Sequence, residues 1–163
     1  MNKRDWLKFY TSFKGRATRY DFNVRFALVM LAGSIIAGII DWSIQGEALI
    51  TENAPTFFST FWNMLFIIPT LAVTCRRLHD MNYSGWWQAA VYLLPILFIG
   101  MMVATFGFVI IGNPLMAGTS AIVAFLAILM FYLGFFIILS CVRGTKGPNR
   151  FGPDPLEVVN VTK

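Results

Sequence analysis

The sequence is short of charge. Of its 163 residues, 13% are Asp, Glu, Lys or Arg, about half the share found in an ordinary soluble domain. From Trp42 to Cys75, and again from Met81 to Val142, there is no lysine, arginine or histidine. Ion-coupled carriers keep ionisable groups inside the bundle, so this lack weighs against a proton-coupled transporter. Asn63, Thr70, Thr74, Gln88 and Ser140 are the uncharged polar groups left over, and such residues more often hydrogen-bond helix to helix. Histidine occurs once, at His79, and with scattered carboxylates this is too little for a metal site. The two cysteines, Cys75 and Cys141, form no CxxC or zinc spacing and read as inert thiols. HExxH, GxSxG and Walker A patterns are absent, and Gly144-Thr145-Lys146-Gly147 lacks phosphate-loop spacing. No cofactor, metal or catalytic residue is expected.

What the chain does have is apolar length: 57% hydrophobic and 16% aromatic residues, with a mean hydropathy of +0.66. Long uncharged runs of this kind are membrane spans. The runs predict spans over Phe22–Ile40, Phe57–Thr74, Trp86–Ile111 and within Leu115–Cys141, the last two joined by a turn at Gly112-Asn113-Pro114. No short apolar core with a cleavage site precedes the first run, which therefore reads as an uncleaved span. Asp41 to Thr56 reads as a loop. Pro69 should kink the second span. Before the first span, Trp6, Phe9, Tyr10 and Phe13 recur at helical spacing opposite Arg4 and Lys8, which suits a helix lying in the interface. Trp86 and Trp87 occupy an aromatic-belt position. The predicted fold is an all-α integral membrane protein: four transmembrane helices, an N-terminal amphipathic interfacial helix and an irregular cytoplasmic C-terminal tail. One domain is expected over 1–155, with a flexible end at 156–163.

All thirteen basic residues lie in three places: Lys3 to Arg25, Arg76-Arg77, and Arg143 to Lys163. These are alternate sides of a four-span chain, so the positive-inside rule makes both termini and the central hinge cytoplasmic. The three basic segments can then meet on one face. Arg16, Arg19, Arg76, Arg77, Lys146 and Arg150 would gather there with His79, Asp80 and Asp154. Two acids cannot neutralise six bases, so the face should attract anionic lipid headgroups or an acidic partner segment. Arginine's planar fork suits bidentate phosphate contact. The alternative is that these residues only set topology and anchor the headgroup boundary.

Three motifs stand out together: Phe13-Lys14-Gly15-Arg16-Ala17-Thr18-Arg19, Arg76-Arg77-Leu78-His79-Asp80 running on to Gly85-Trp86-Trp87, and Gly144-Thr145-Lys146-Gly147-Pro148-Asn149-Arg150-Phe151-Gly152-Pro153-Asp154-Pro155. Their order and spacing resemble the bacterial domain-of-unknown-function 805 family, the YhaH-like inner membrane proteins. Met81-Asn82-Tyr83 departs from the smaller or more polar residues expected there. The resemblance covers Met1 to about Pro155 and implies a small multi-pass protein of the bacterial inner membrane. It brings no reaction, cofactor or partner.

The expected function is therefore non-enzymatic, with the basic face holding anionic headgroups or a partner protein. Membrane lipids are the expected partners, a homo-oligomer or membrane-protein complex is also compatible, and nucleic acid is not. A small transporter or channel subunit is the alternative. A lipid-modifying enzyme using His79 and Asp80 is a third reading, although adjacent residues on a helix point apart.

Overall fold

The computed structural model describes residues 3–46, 48, 55–112 and 114–157, with side chains for all of these except 3–5 and 104–118. In a bilayer every backbone polar group must be paired internally, and the apolar runs accordingly form helices. Helix α1 spans Lys3–Thr11. A reciprocal cap then opens the first long helix: Thr18 N and Oγ1 donate to Asp21 Oδ2 at 3.2 and 2.8 Å, and Asp21 N donates to Thr18 Oγ1 at 3.1 Å. The helix runs first as a π-helical stretch, Asp21–Ala27, and continues as α2, Leu28–Gln45. It reaches past Ile40, so Asp41 is a helical residue and not a loop residue.

The second span is two helices, α3 over Phe57–Leu65 and α4 over Ile67–Asp80. They break at Phe66, one turn before Pro69. Proline lacks the N–H that would bond the Leu65 carbonyl, and its ring crowds that carbonyl. Against α2, Trp62 packs on Gly33, where an added Cβ would sit 1.9 Å from the indole ring. The small residue at 33 thus makes room for a ring.

Helix α5 spans Trp87–Gly112, continuing through Pro95, and α6 spans Pro114–Cys141. The first turns of α5 and the last turns of α6 line one groove, with Trp87 and Val91 facing Gly134 and Ile138. The pair is therefore an antiparallel hairpin that leaves and regains the same face.

The expectation of four transmembrane helices is corrected here. Among the described residues three helices are long and apolar enough to cross a membrane: Asp21–Gln45, Phe57–Asp80 and Thr119–Cys141. In α5 the apolar stretch with described side chains is Trp87–Val103, 17 residues. A fourth span is therefore not shown among the described residues, and the fold is an all-α membrane protein with three long apolar helices. Of the expected flexible end, 158–163 lie outside the described residues.

The buried core is not central. Phe22, Phe26, Val73, Leu78, Met81 and Leu139 cluster where the first long helix begins and along α4 to the ends of α4 and α6, and Phe66, just ahead of α4, joins them. Elsewhere leucine, isoleucine and phenylalanine point outward, as lipid-facing residues do. That packed end carries all three sequence motifs.

Candidate functional site

The end of α4 sets the problem that the site solves. A helix terminus leaves carbonyls without partners, and here they lie in a buried setting. Both other motifs supply donors. Ala17 N donates to Arg76 O at 3.1 Å, and Thr145 N donates to Asp80 O at 2.8 Å. Asn149 Nδ2 donates to His79 O and to Thr145 Oγ1, both at 2.9 Å. Asn82 closes the helix in the left-handed region (φ 63°), a conformation asparagine tolerates, and Arg150 Nη2 donates to its carbonyl at 2.9 Å.

Asp80 sits at the centre, 5% exposed. Arg16 Nε donates to its Oδ1 at 3.0 Å, and Arg77 Nη1 donates to its Oδ2. Arg16 also donates to Gly147 O at 2.7 Å and Thr145 O at 2.5 Å. Arg77 is wholly buried. Its Nε donates to Leu139 O at 2.7 Å and its Nη2 to Val142 O, so it caps the C-terminal carbonyls of α6 with a cation where the helix dipole favours one. Arg76 is also buried; its Nη2 donates to Phe9 O, and its guanidinium lies 4.8 Å from the Phe9 ring centroid. Gly144 permits this packing, since a Cβ there would lie 2.0 Å from Asp80 Oδ2.

The structure therefore brings the nine polar residues named from the sequence to one end of the molecule, but divides them by role. Arg16, Arg76, Arg77 and Asp80 are internal ties, and the carboxylate and main-chain carbonyls take up their charge. His79 is half-buried: its ring stacks on Phe151 at 3.9 Å, and Nδ1 lies 3.2 Å from Gly15 O. His79 and Asp80 engage different partners and form no dyad. Arg19, Lys146 and Arg150 are exposed. Arg19 and Lys146 join Arg143, Thr18 and Asp154 around a shallow polar depression of about 30 Å³. Among the described residues the ion pairs are Arg16–Asp80, Arg77–Asp80 and Arg25–Asp21, so Arg19, Arg143 and Lys146 have no carboxylate within ion-pair distance. Asp154 is occupied by backbone: it accepts from Leu156 N at 3.0 Å and Gly147 N at 3.1 Å. Those bonds, chiefly that from Leu156, hold its carboxyl below the usual range, with Arg16 and Arg143 adding to the effect.

Of the aromatic anchors, Trp6, Phe13, Trp86 and Trp87 are exposed, Trp86 to 84%. Phe9 and Tyr10 instead pack inward, and Tyr10 Oη donates to Arg25 O at 2.6 Å. Phe13 lies beyond the end of α1, so the four rings do not share one helical face. Sequence reasoning missed Arg143, Gly144, Thr145 and Asn149 as site residues. Their signal is chemical: an irregular tail rich in N–H, hydroxyl and amide groups is what a buried helix end needs.

A family model described as "Protein of unknown function (DUF805)" matches residues 10–153. The chain belongs to the DUF805 family. Among similar proteins, Inner membrane protein YhaH of Escherichia coli (strain K12) is 31% identical over 155 residues, 93% of this chain and 96% of that protein. Inner membrane protein YhaI of the same organism is 29% identical over 149 residues, 91% and 90% of the two chains. Uncharacterized protein YiiR is 28% identical over 158 residues, 97% and 93%. No solved structure matches. Together with the three membrane-length helices, the likeness to inner membrane proteins identifies the chain as a multi-pass protein of the bacterial inner membrane. The names of YhaH and YhaI give a place and no reaction.

Proposed function

We propose that this protein is a non-enzymatic membrane component whose basic face is cytoplasmic and holds anionic lipid headgroups. The observation that carries this reading is the division of the cations. Arg76, Arg77 and the side chain of Arg16 are buried and bonded within the protein, whereas Arg19, Arg143 and Lys146 ring an exposed depression with no ion-pair partner among the described residues. Of the two carboxylates that line it, Asp80 is taken up by Arg16 and Arg77, and Asp154 already accepts two backbone N–H groups. Such a rim favours a phosphate at the headgroup level over an acidic protein segment, because it lies at the helix ends beside Cys141 and Thr18. The positive-inside rule supports the sidedness, since the chain carries no Lys or Arg between Arg25 and Arg76 or between Arg77 and Arg143.

The test is native mass spectrometry of the protein with phosphatidylglycerol and phosphatidylcholine. In the Arg19→Gln, Arg143→Gln, Lys146→Gln triple variant, phosphatidylglycerol preference should fall by roughly fivefold per charge removed, the equivalent of about 1 kcal/mol each near the surface. A triple variant that keeps the wild-type preference would rule the headgroup reading out.

A further inference from the structure

One pair of side chains at the hinge is used by neither the ionic ties nor the basic rim. Cys75 and His79 lie one turn apart on α4, and Cys75 Sγ is 3.5 Å from His79 Nε2. The ring is fixed from two sides: Nδ1 lies 3.2 Å from Gly15 O, and Phe151 stacks on its face at 3.9 Å. A carbonyl only accepts, so in the neutral ring Nδ1 carries the proton and Nε2 turns its lone pair to the thiol. A nucleophile, a base within reach of its proton and a third group that orients the base are the parts of an activated thiol. Cys141 is exposed and lacks this arrangement, because the chain has one histidine.

The pair lies at the wall of a cavity of about 580 Å³, within the range of small-molecule sites. Cys75 lines it, and so do the groups around the sulfur: His79, Gly85, and Phe13, whose carbonyl oxygen is 3.8 Å from Sγ. A Cβ on Gly85 would lie 2.1 Å from Sγ, so a glycine at 85 is what leaves room beside the thiol. Away from the hinge the wall continues one turn back along α4 to Leu71 and along α5 to Tyr92. No Asp, Glu, Lys or Arg lines it. A charged head would find no counter-ion there, whereas an acyl chain suits an uncharged wall that runs from the hinge into the apolar part of the bilayer.

We propose that Cys75 is a site of S-acylation: its thiol accepts a long-chain acyl group from an acyl thioester, and the cavity holds the chain. Cys75 Sγ attacks the thioester carbonyl as His79 Nε2 takes the thiol proton. The tetrahedral adduct then collapses with cleavage of the donor's C–S bond, and the departing thiolate recovers the proton from Nε2. One thioester forms and one breaks, so no oxidant or reductant is needed. The proton moves as the new bond forms, so a buried thiol need not ionise beforehand. Cysteines beside a membrane span are a common class of acceptor for such chains. The reaction uses no residue of the basic rim and stands or falls independently of the headgroup reading.

The test mixes the detergent-solubilised full-length protein with hexadecanoyl-coenzyme A or acetyl-coenzyme A and follows intact mass and peptide maps. The hexadecanoyl group should appear on Cys75 and be removed by neutral hydroxylamine, which cleaves thioesters, while the more exposed Cys141 stays free. Equal or faster acylation of Cys141, or none at either thiol, overturns the proposal. His79→Gln should slow the transfer to Cys75 by about 100-fold or more, the worth of a general base. The pH profile should change with it. Wild type should level off once the imidazole is neutral, and the variant, whose thiol must ionise unaided, should keep rising through the ordinary thiol range near ~8.5. The same rate and profile in both overturns the role of His79. Should that variant not fold, Ala89→Leu narrows the cavity wall and should slow hexadecanoyl transfer while sparing acetyl transfer; an equal effect on both chains, or none, is again a negative result.

Discussion

Two carboxylates are buried at opposite ends of the helices, and they are held in different ways. Asp80, at the basic end, is gripped by Arg16 and Arg77. Asp41, near the far end of α2 and 2% exposed, has no cation. It accepts Phe58 N at 3.0 Å, Ser59 N at 2.8 Å and Ser59 Oγ at 2.6 Å, and so caps the first turn of α3. A helix N-terminus presents free N–H groups and the positive end of its dipole, enough to hold one carboxylate. The contrast follows from sidedness. An arginine beside Asp41 would put positive charge on the face that has none, against the asymmetry that sets the threading. Neutral donors do the same job there without altering the charge balance.

The comparison can be broken first at its stronger member. Asp80→Asn removes the only carboxylate that Arg16 and Arg77 share, leaving two buried cations uncompensated. We expect a loss of about 3–5 kcal/mol, the usual cost of breaking a buried pair, read as a large drop in melting temperature in detergent. Asp41→Ala should lose less, about 1–2 kcal/mol, because it removes a helix cap and strands no charge. If the two variants melt together, the distinction between ionic and dipolar holding fails. The smallest effect is expected at Asp154. Its folded pKa lies below the unfolded value of ~3.9, so its contribution is complete above that pH and is lost as pH falls through the lower folded value. Wild type should therefore lose stability on acidification below about pH 4 relative to Asp154→Asn, whose difference from wild type should shrink at the same time. A gap between the two that stays constant across that window would show that Asp154 does not act through its charge.

Much of the architecture was legible because apolar length and basic flanks are properties of the chain alone. The runs at Phe22, Phe57 and Leu115 gave helices, and Pro69 gave a break. Asp41 misled because a charged residue after an apolar run reads as a loop; the donors that pair it, Phe58 and Ser59, lie on α3, and nothing local in the sequence links them to it. Arg16, Arg76 and Arg77 were expected beside Asp80 and Asp154 with charge to spare, whereas all three are bonded within the protein. Counting six bases against two acids left out main-chain carbonyls, which carry no formal charge yet accept most of the arginine hydrogen bonds. Which carbonyls turn inward depends on the paths of α6 and the tail. The rim residue Arg143 was legible as a basic flank and not as part of a site, since nothing local links it to Arg19.

The ties of Arg77 also bear on the timing of assembly. Its acceptors, Leu139 O and Val142 O, lie 62 and 65 residues downstream. At ~5–20 residues per second, translation takes roughly 3–13 s to supply them. Throughout that interval a cation destined for the interior has to remain in water or among headgroups. α4 can settle against its neighbours only after the hairpin has been inserted and its end has returned. The arginine therefore makes the closing of the bundle conditional on completion of the last helix, so a chain cut short before Leu139 would keep an open, solvated end.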